Sequence, residues 1–119
     1  MKRPVELWAI LACLVGAELV FLGAGVLRWA AEGGADLLVL PTVLLVLVLV
    51  AAASLLTRIR IAKAGATAVA VFAALLHLLI VLGDGPGLAR IVSGIVGAAH
   101  VYAVVLLNTG PMRKFLERP

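Results

Sequence analysis

The sequence has few charged side chains, few aromatic side chains and a single cysteine. Charged residues make up only 13% of the 119 residues, whereas soluble domains contain about 25%. Hydrophobic residues reach 65%, and the mean hydropathy is +1.24. This composition excludes a soluble globular fold and predicts an integral membrane protein.

The other scarce features exclude several classes of site. Because Cys13 is the only cysteine, neither an intrachain disulfide nor a cysteine-based metal cluster can form. The chain is too short to hold a catalytic domain outside the membrane, so we expect neither an enzyme nor a bound cofactor. The net charge of +4 comes from lysine and arginine residues beside the apolar stretches. Their positive charges are explained by the orientation of the protein in the membrane and by attraction to anionic lipid. The lipid bilayer is therefore an expected partner, and nucleic acid is not.

Four apolar stretches organise the chain into one domain. They cover about residues 7–29, 37–56, 62–83 and 88–109, and each can cross a hydrocarbon core of ~30 Å at ~1.5 Å per residue. A basic turn, Thr57–Lys63, separates the middle two, and Asp84–Gly87 forms a tight turn before the fourth. The pattern predicts an all-α integral membrane fold, an antiparallel up-down bundle of four transmembrane helices.

The distribution of lysine and arginine predicts the orientation of this bundle. Two acidic turns, Ala30–Asp36 and Asp84–Gly87, have only Arg28 and Arg90 beside them. Because cytoplasmic loops carry the excess of positive charge, we expect both termini in the cytoplasm and the protein in the bacterial inner membrane. Eight of the ten Lys and Arg residues then lie inside: Lys2, Arg3, Arg58, Arg60, Lys63, Arg113, Lys114 and Arg118.

Small residues at helical spacing predict where the helices pack, because helices in lipid associate through close van der Waals contact. The second stretch is apolar on all sides and is interpreted as facing lipid or a partner. The third and fourth stretches should pack antiparallel. The proposed packing positions are Ala9, Ala12, Gly16 and Gly23 in the first stretch, Ala62, Ala66, Ala70, Ala73 and Ala74 in the third, and Ser93, Gly94, Gly97 and Ala98 in the fourth.

Three ionisable side chains lie at membrane depth and are the candidate functional residues. Glu18, His77 and His100 fall at depths of roughly 18, 22 and 13 Å when each is counted from its cytoplasmic helix end. Glu18 could contact either histidine. However, it lies about 200° around the helix from Gly16, away from the small-residue face, so a neighbouring chain is an alternative partner.

These residues support three hypotheses about function. In the first, they form hydrogen bonds between helices in an accessory or assembly subunit of a larger membrane complex, such as one for lipid import or respiration. In the second, Glu18 serves a homo-oligomeric small-solute or proton-coupled carrier, since Gly16–Val20 resembles the matching segment of small four-span exporters; their aromatic-rich pocket is missing here. In the third, His77 and His100 bind haem b, although their depths differ by ~9 Å.

The last part of the chain carries a family resemblance. Leu88–Ile95 leads through an apolar run into Gly110–Leu116, which reads Gly-Pro-Met-Arg-Lys-Phe-Leu. This ending resembles that of small four-span actinobacterial membrane proteins of unknown function, whose last helix stops in a short basic and aromatic tail. The resemblance implies the four-span fold and contributes no site residue.

Overall fold

The structure, a computed structural model, describes residues 3–117. Four helices within that range are long and apolar enough to span a membrane. They are α1 (Val5–Glu32), α2 (Ala35–Thr57), α3 (Ala62–Leu82) and α4 (Gly87–Leu107), and a short α5 (Gly110–Leu116) follows. The expected all-helical architecture is thus confirmed for the described part of the chain, and the helix ends lie within three residues of those expected.

The first two helices contain local departures from α-helical geometry. Helix α1 is π-helical over Ala12–Gly16, a feature that is frequent beside functional positions. Helix α2 begins with a 3-10 turn at Ala35–Leu38. Gly33 and Gly34 connect the two helices with φ angles of 75° and 91°, a region that side-chain-bearing residues rarely adopt. The pair of glycines therefore makes this tight reversal possible.

The basic turn closes α2 and begins α3. Arg58 adopts the left-handed conformation with a φ of 53°, and the Ile59 N–H donates to the Ser54 carbonyl at 3.2 Å. This is the common way to end a helix while satisfying its last carbonyls. Two of the cations expected on this side, Lys2 and Arg118, lie outside the described residues.

The four long helices form a closed ring in which each packs against its sequence neighbour and α1 packs against α4. The most extensive packing joins α3 and α4. Short turns connect the helices, so successive helices run antiparallel. We call the end that holds the start of α1, the α2–α3 turn and α5 the terminal end, and the opposite end the distal end.

In the first half of α1, the packed face consists of large residues. Leu7, Ile10 and Leu14 are completely buried and share a core with the alanines of α3 and α4. A Cβ atom added to Gly16 would meet no described heavy atom within 4 Å. Contrary to the prediction, Gly16 therefore does not lie at a close helix contact. The physical reason is complementarity, because large side chains on α1 fill the space that the alanine stripes leave open.

The small residues of α3 and α4 lie at the contact between these two helices or beside it. Ala66 and Ala70 are fully buried, and Ala74 is half-buried. A Cβ atom at Gly97 would lie 3.4 Å from the His77 Cβ, and one at Gly94 would lie 3.7 Å from Val81 Cγ2. Helices α3 and α4 therefore approach closely enough at this level that a Cβ atom at Gly97 would be in van der Waals contact with His77.

Two features of the fold differ from expectation. Helix α2 is not uniformly lipid-facing, since Leu44, Val48 and Leu55 on one face are fully buried. The tail after α4 forms helix α5, in which Met112 and Phe115 are buried in the same core as Leu7. An all-apolar helix has no polar face to reveal which side is buried. The tail is too short for its sequence pattern to identify a helix.

Candidate functional site: a buried glutamate and two histidines

The three ionisable residues that the sequence singles out meet in the interior of the bundle. Glu18 on α1, His77 on α3 and His100 on α4 are all 0% exposed. We call them the Glu-His-His cluster. Ser93 lies two turns before His100 on the same face of α4. It is also fully buried and forms a hydrogen bond with the cluster. The cluster links three of the four long helices.

Hydrogen-bond distances hold the cluster together. The Nε2 atom of His77 lies 3.0 Å from Glu18 Oε1 and 3.4 Å from Oε2. The Nε2 atom of His100 lies 3.2 Å from Glu18 Oε2, and the Nδ1 atom of His77 lies 3.1 Å from Ser93 Oγ. Both carboxylate oxygens of Glu18 are therefore engaged within its own chain, and Glu18 does not face a neighbouring copy.

The depths counted along the helices overstate how far apart these groups lie. The ring centroids of His77 and His100 are only 5.8 Å apart, less than the ~9 Å obtained from helical rise. Side chains lean toward the N-terminal end of their own helix. Since α4 runs opposite to α1 and α3, His100 leans toward the distal end while Glu18 and His77 lean toward the terminal end, so the three side chains converge.

The hydrogen-bond pattern determines where protons are needed. With Glu18 ionised, the Nε2–H groups of both histidines donate to its carboxylate, and His77 Nδ1 accepts from the Ser93 hydroxyl. Among the described residues, His100 Nδ1 is the one buried side-chain nitrogen or oxygen without a hydrogen-bond partner. An unsatisfied buried polar atom costs about 1–3 kcal/mol. As a hydrogen-bonded network the cluster is therefore incomplete.

Apolar side chains surround the cluster. The Phe21 ring packs edge-on against the His77 imidazole, with centroids 4.5 Å apart and an interplanar angle of 78°. Phe21 belongs to a small buried core with Leu44, Ala73 and Val96. In such surroundings an ionised carboxylate at membrane depth costs ~2.5–3.5 kcal/mol unless it is paired. The two histidines supply that pairing.

The two ends of the bundle differ in how closely polar groups approach the cluster. Toward the terminal end the larger apolar core separates the cluster from the surface. Toward the distal end a cleft lined by all four long helices carries Arg28 and Asp36 and reaches Phe21. Because Phe21 also contacts His77, one aromatic ring lies between this cleft and the cluster. This cleft therefore approaches the cluster from the distal end.

No family model, curated protein or solved structure matches this chain. The geometry of the cluster and of the surrounding surfaces is therefore the basis for inferring function.

Haem ligation by the two histidines would require a rearrangement of this geometry. In a bis-histidine site the iron and its macrocycle lie between the two ligating nitrogens. Here the Glu18 carboxylate lies at hydrogen-bond distance from both Nε2 atoms. Haem binding stays a prediction, and it would require the Glu18 carboxylate to move out of the space between the two Nε2 atoms.

Sequence reasoning singled out Glu18 and both histidines but missed two residues of the site. Ser93 lies seven residues before His100 and shares its helix face, but it was predicted only as a packing position and not as a polar site residue. Phe21 was not singled out at all. Its position three residues after Glu18 was the available signal, since residues three apart share a helix face.

Proposed function

We propose that this chain is a multi-pass protein of the bacterial cytoplasmic membrane, with both termini inside, that serves as an accessory or assembly subunit of a larger membrane complex. The observation that carries the proposal is an apolar groove on the outside of the α3–α4 contact. Its lining includes Ala74, Gly94, Gly97, Ala98 and Val101. The groove therefore presents small residues on the outer surface of the α3–α4 pair.

Small residues allow two helices in a membrane to approach closely, and close approach is the main source of association there. The groove continues along the same helix contact past Val101 to Val104 and Val105, so it follows the helix axes rather than forming an isolated hole. A transmembrane helix of a larger partner protein matches this elongated apolar shape. Self-association is the alternative occupant, and the test below separates the two.

The Glu-His-His cluster supports this function by holding the groove in shape. It connects α1 to both helices that form the groove through hydrogen bonds to His77 and His100. Each interhelical hydrogen bond in a membrane contributes ~0.6–2 kcal/mol. The cluster thereby fixes α3 and α4 against α1 before a partner binds.

The proposal is tested by site-specific photo-crosslinking in the native membrane. A crosslinker at Ala98, in the groove, should give one discrete product with a different, larger membrane protein. A crosslinker at Ala53, an exposed alanine on α2, should not. The matched substitution Ala98→Leu should abolish partner recovery after gentle detergent extraction, whereas Ala53→Leu should leave it unchanged. A product containing only two copies of this chain would contradict the proposal.

A proton-coupled carrier using Glu18 is the second candidate, and one observation favours it. The cluster is a set of directly bonded titratable groups at membrane depth, and the distal cleft reaches Phe21 beside it. Proton coupling needs a group that changes charge, and an amide cannot titrate. Proton-linked flux in liposomes that Glu18→Gln abolishes, with assembly unchanged, would replace the subunit proposal by the carrier.

A further inference from the structure

We propose that Glu18, His77 and His100 form a binding site for one divalent transition-metal ion, with Zn²⁺ as the ion that fits the ligands best. This inference does not rest on the partner proposed above, because its ligands lie in the interior of the bundle. Three observations carry it: the spacing of the ligand atoms, their chemistry, and the role of Ser93.

The spacing of the ligand atoms is close to that of a metal coordination shell. One ligand atom from each of the three residues lies within 4.8 Å of the other two. The nitrogen-to-oxygen separations between the histidine Nε2 atoms and the Glu18 carboxylate are 3.0, 3.4 and 3.2 Å. Ligands about 2.0–2.1 Å from a tetrahedral Zn²⁺ lie roughly 3.3 Å from one another. An ion could therefore occupy the centre of the cluster with small side-chain movements.

The ligand chemistry narrows the class of ion. Two imidazoles and one carboxylate are the His₂Glu set of many zinc proteins, which keep a fourth position for water or another ligand. Hard ions such as Mg²⁺ and Ca²⁺ prefer shells of oxygen ligands, and soft ions prefer thiolates. The cluster has one carboxylate and no thiolate. Its composition therefore favours a borderline ion that accepts nitrogen ligands.

Ser93 provides the hydrogen bond that a metal-binding histidine normally has on its other nitrogen. The Ser93 hydroxyl lies 3.1 Å from His77 Nδ1. When it accepts from the Nδ1–H, it places the free electron pair of His77 on Nε2, the atom that faces the cluster. The hydroxyl can also donate to Nδ1. Ser93 therefore serves both the metal-free hydrogen-bonded form and the metal-bound form.

The consequence for the fold is a metal crosslink between three helices. Glu18, His77 and His100 come from α1, α3 and α4, so an ion bound by all three would hold these helices together. A ligand that binds only the folded state stabilises it by RT ln(1 + [L]/Kd). Zinc binding should therefore raise the unfolding midpoint of the protein, and the size of that rise should depend on zinc concentration.

The test uses full-length protein in mild detergent, purified with a histidine-free affinity tag and stripped with a chelator. Added ZnCl₂ should bind at one ion per chain, measured by elemental analysis after removal of free zinc. Glu18→Gln, which keeps hydrogen bonding to both histidines, should abolish this binding. Glu32→Gln should not, because Glu32 is an exposed carboxylate paired with Arg28 at 3.2 Å. Ser93→Ala should weaken zinc affinity by about 10–100-fold.

Two further measurements keep the result interpretable. The metal-free Glu18→Gln protein should unfold at nearly the same midpoint as the metal-free wild type, which separates loss of a ligand from loss of the fold. X-ray absorption should show zinc bound by nitrogen and oxygen only, at about 2.0–2.1 Å. Failure of the wild type to bind zinc, or zinc binding by Glu18→Gln equal to that of the wild type, would overturn the metal site without affecting the partner proposal.

Discussion

Replacing Glu18 by leucine and by glutamine should have very different effects on the stability of the metal-free protein. Leucine removes the acceptor of both histidine Nε2–H groups, which are fully buried. Each buried group left without a partner costs about 1–3 kcal/mol, and membrane hydrogen bonds lie toward the lower values. We therefore expect Glu18→Leu to lower the free energy of unfolding by about 2–4 kcal/mol.

Glutamine can satisfy the same partners without a charge. Its amide N–H donates to His77 Nε2, while His77 Nδ1–H donates to Ser93 Oγ, and its carbonyl oxygen accepts from His100 Nε2–H. This arrangement uses the contacts already present in the wild type. We therefore expect Glu18→Gln to change the free energy of unfolding by less than about 1 kcal/mol.

The measurement is equilibrium unfolding in mixed detergent micelles with the chelator present throughout. The variant in which leucine replaces Glu18, His77 and His100 together is the comparison, since well-packed apolar groups can match or exceed a buried ion pair in stability. It should be more stable than Glu18→Leu alone. If Glu18→Leu and Glu18→Gln unfold at the same midpoint, the hydrogen-bond argument for the cluster is wrong.

Two further predictions concern packing and orientation. Ala70→Leu should lower the free energy of unfolding by about 1–3 kcal/mol, because Ala70 is fully buried and overpacking forces a shift of its neighbours. Val50→Leu, on the exposed face of α2, is the control. Equal effects of the two substitutions would contradict the packing argument. Reporter fusions in Thr57–Lys63 and after Pro119 should score as cytoplasmic and one in Glu32–Asp36 as periplasmic; a periplasmic signal after Pro119 would reverse the proposed orientation.

The sequence by itself determined the architecture, because the signals involved are long and strong. Four stretches of about twenty apolar residues are recognisable without tertiary contacts, and Gly33, Gly34 and Asp84–Gly87 interrupt them where the helices end. The same composition made Glu18 and the two histidines stand out, because an ionisable residue within an apolar helix needs an explanation. These inferences depend on the chemistry of individual residues and short segments, which sequence records directly.

Only the tertiary structure decided which faces meet. Gly16 and Glu18 lie on opposite sides of α1, and a preference for small residues at helix contacts pointed to the Gly16 side. The structure buries the Glu18 side, because Leu7 and Leu14 fill the space beside the alanines of α3 and α4. The meeting of Glu18 with both histidines follows from that choice and from the opposite directions in which antiparallel helices tilt their side chains. Both are relations between helices, and the pattern within a single helix does not contain them.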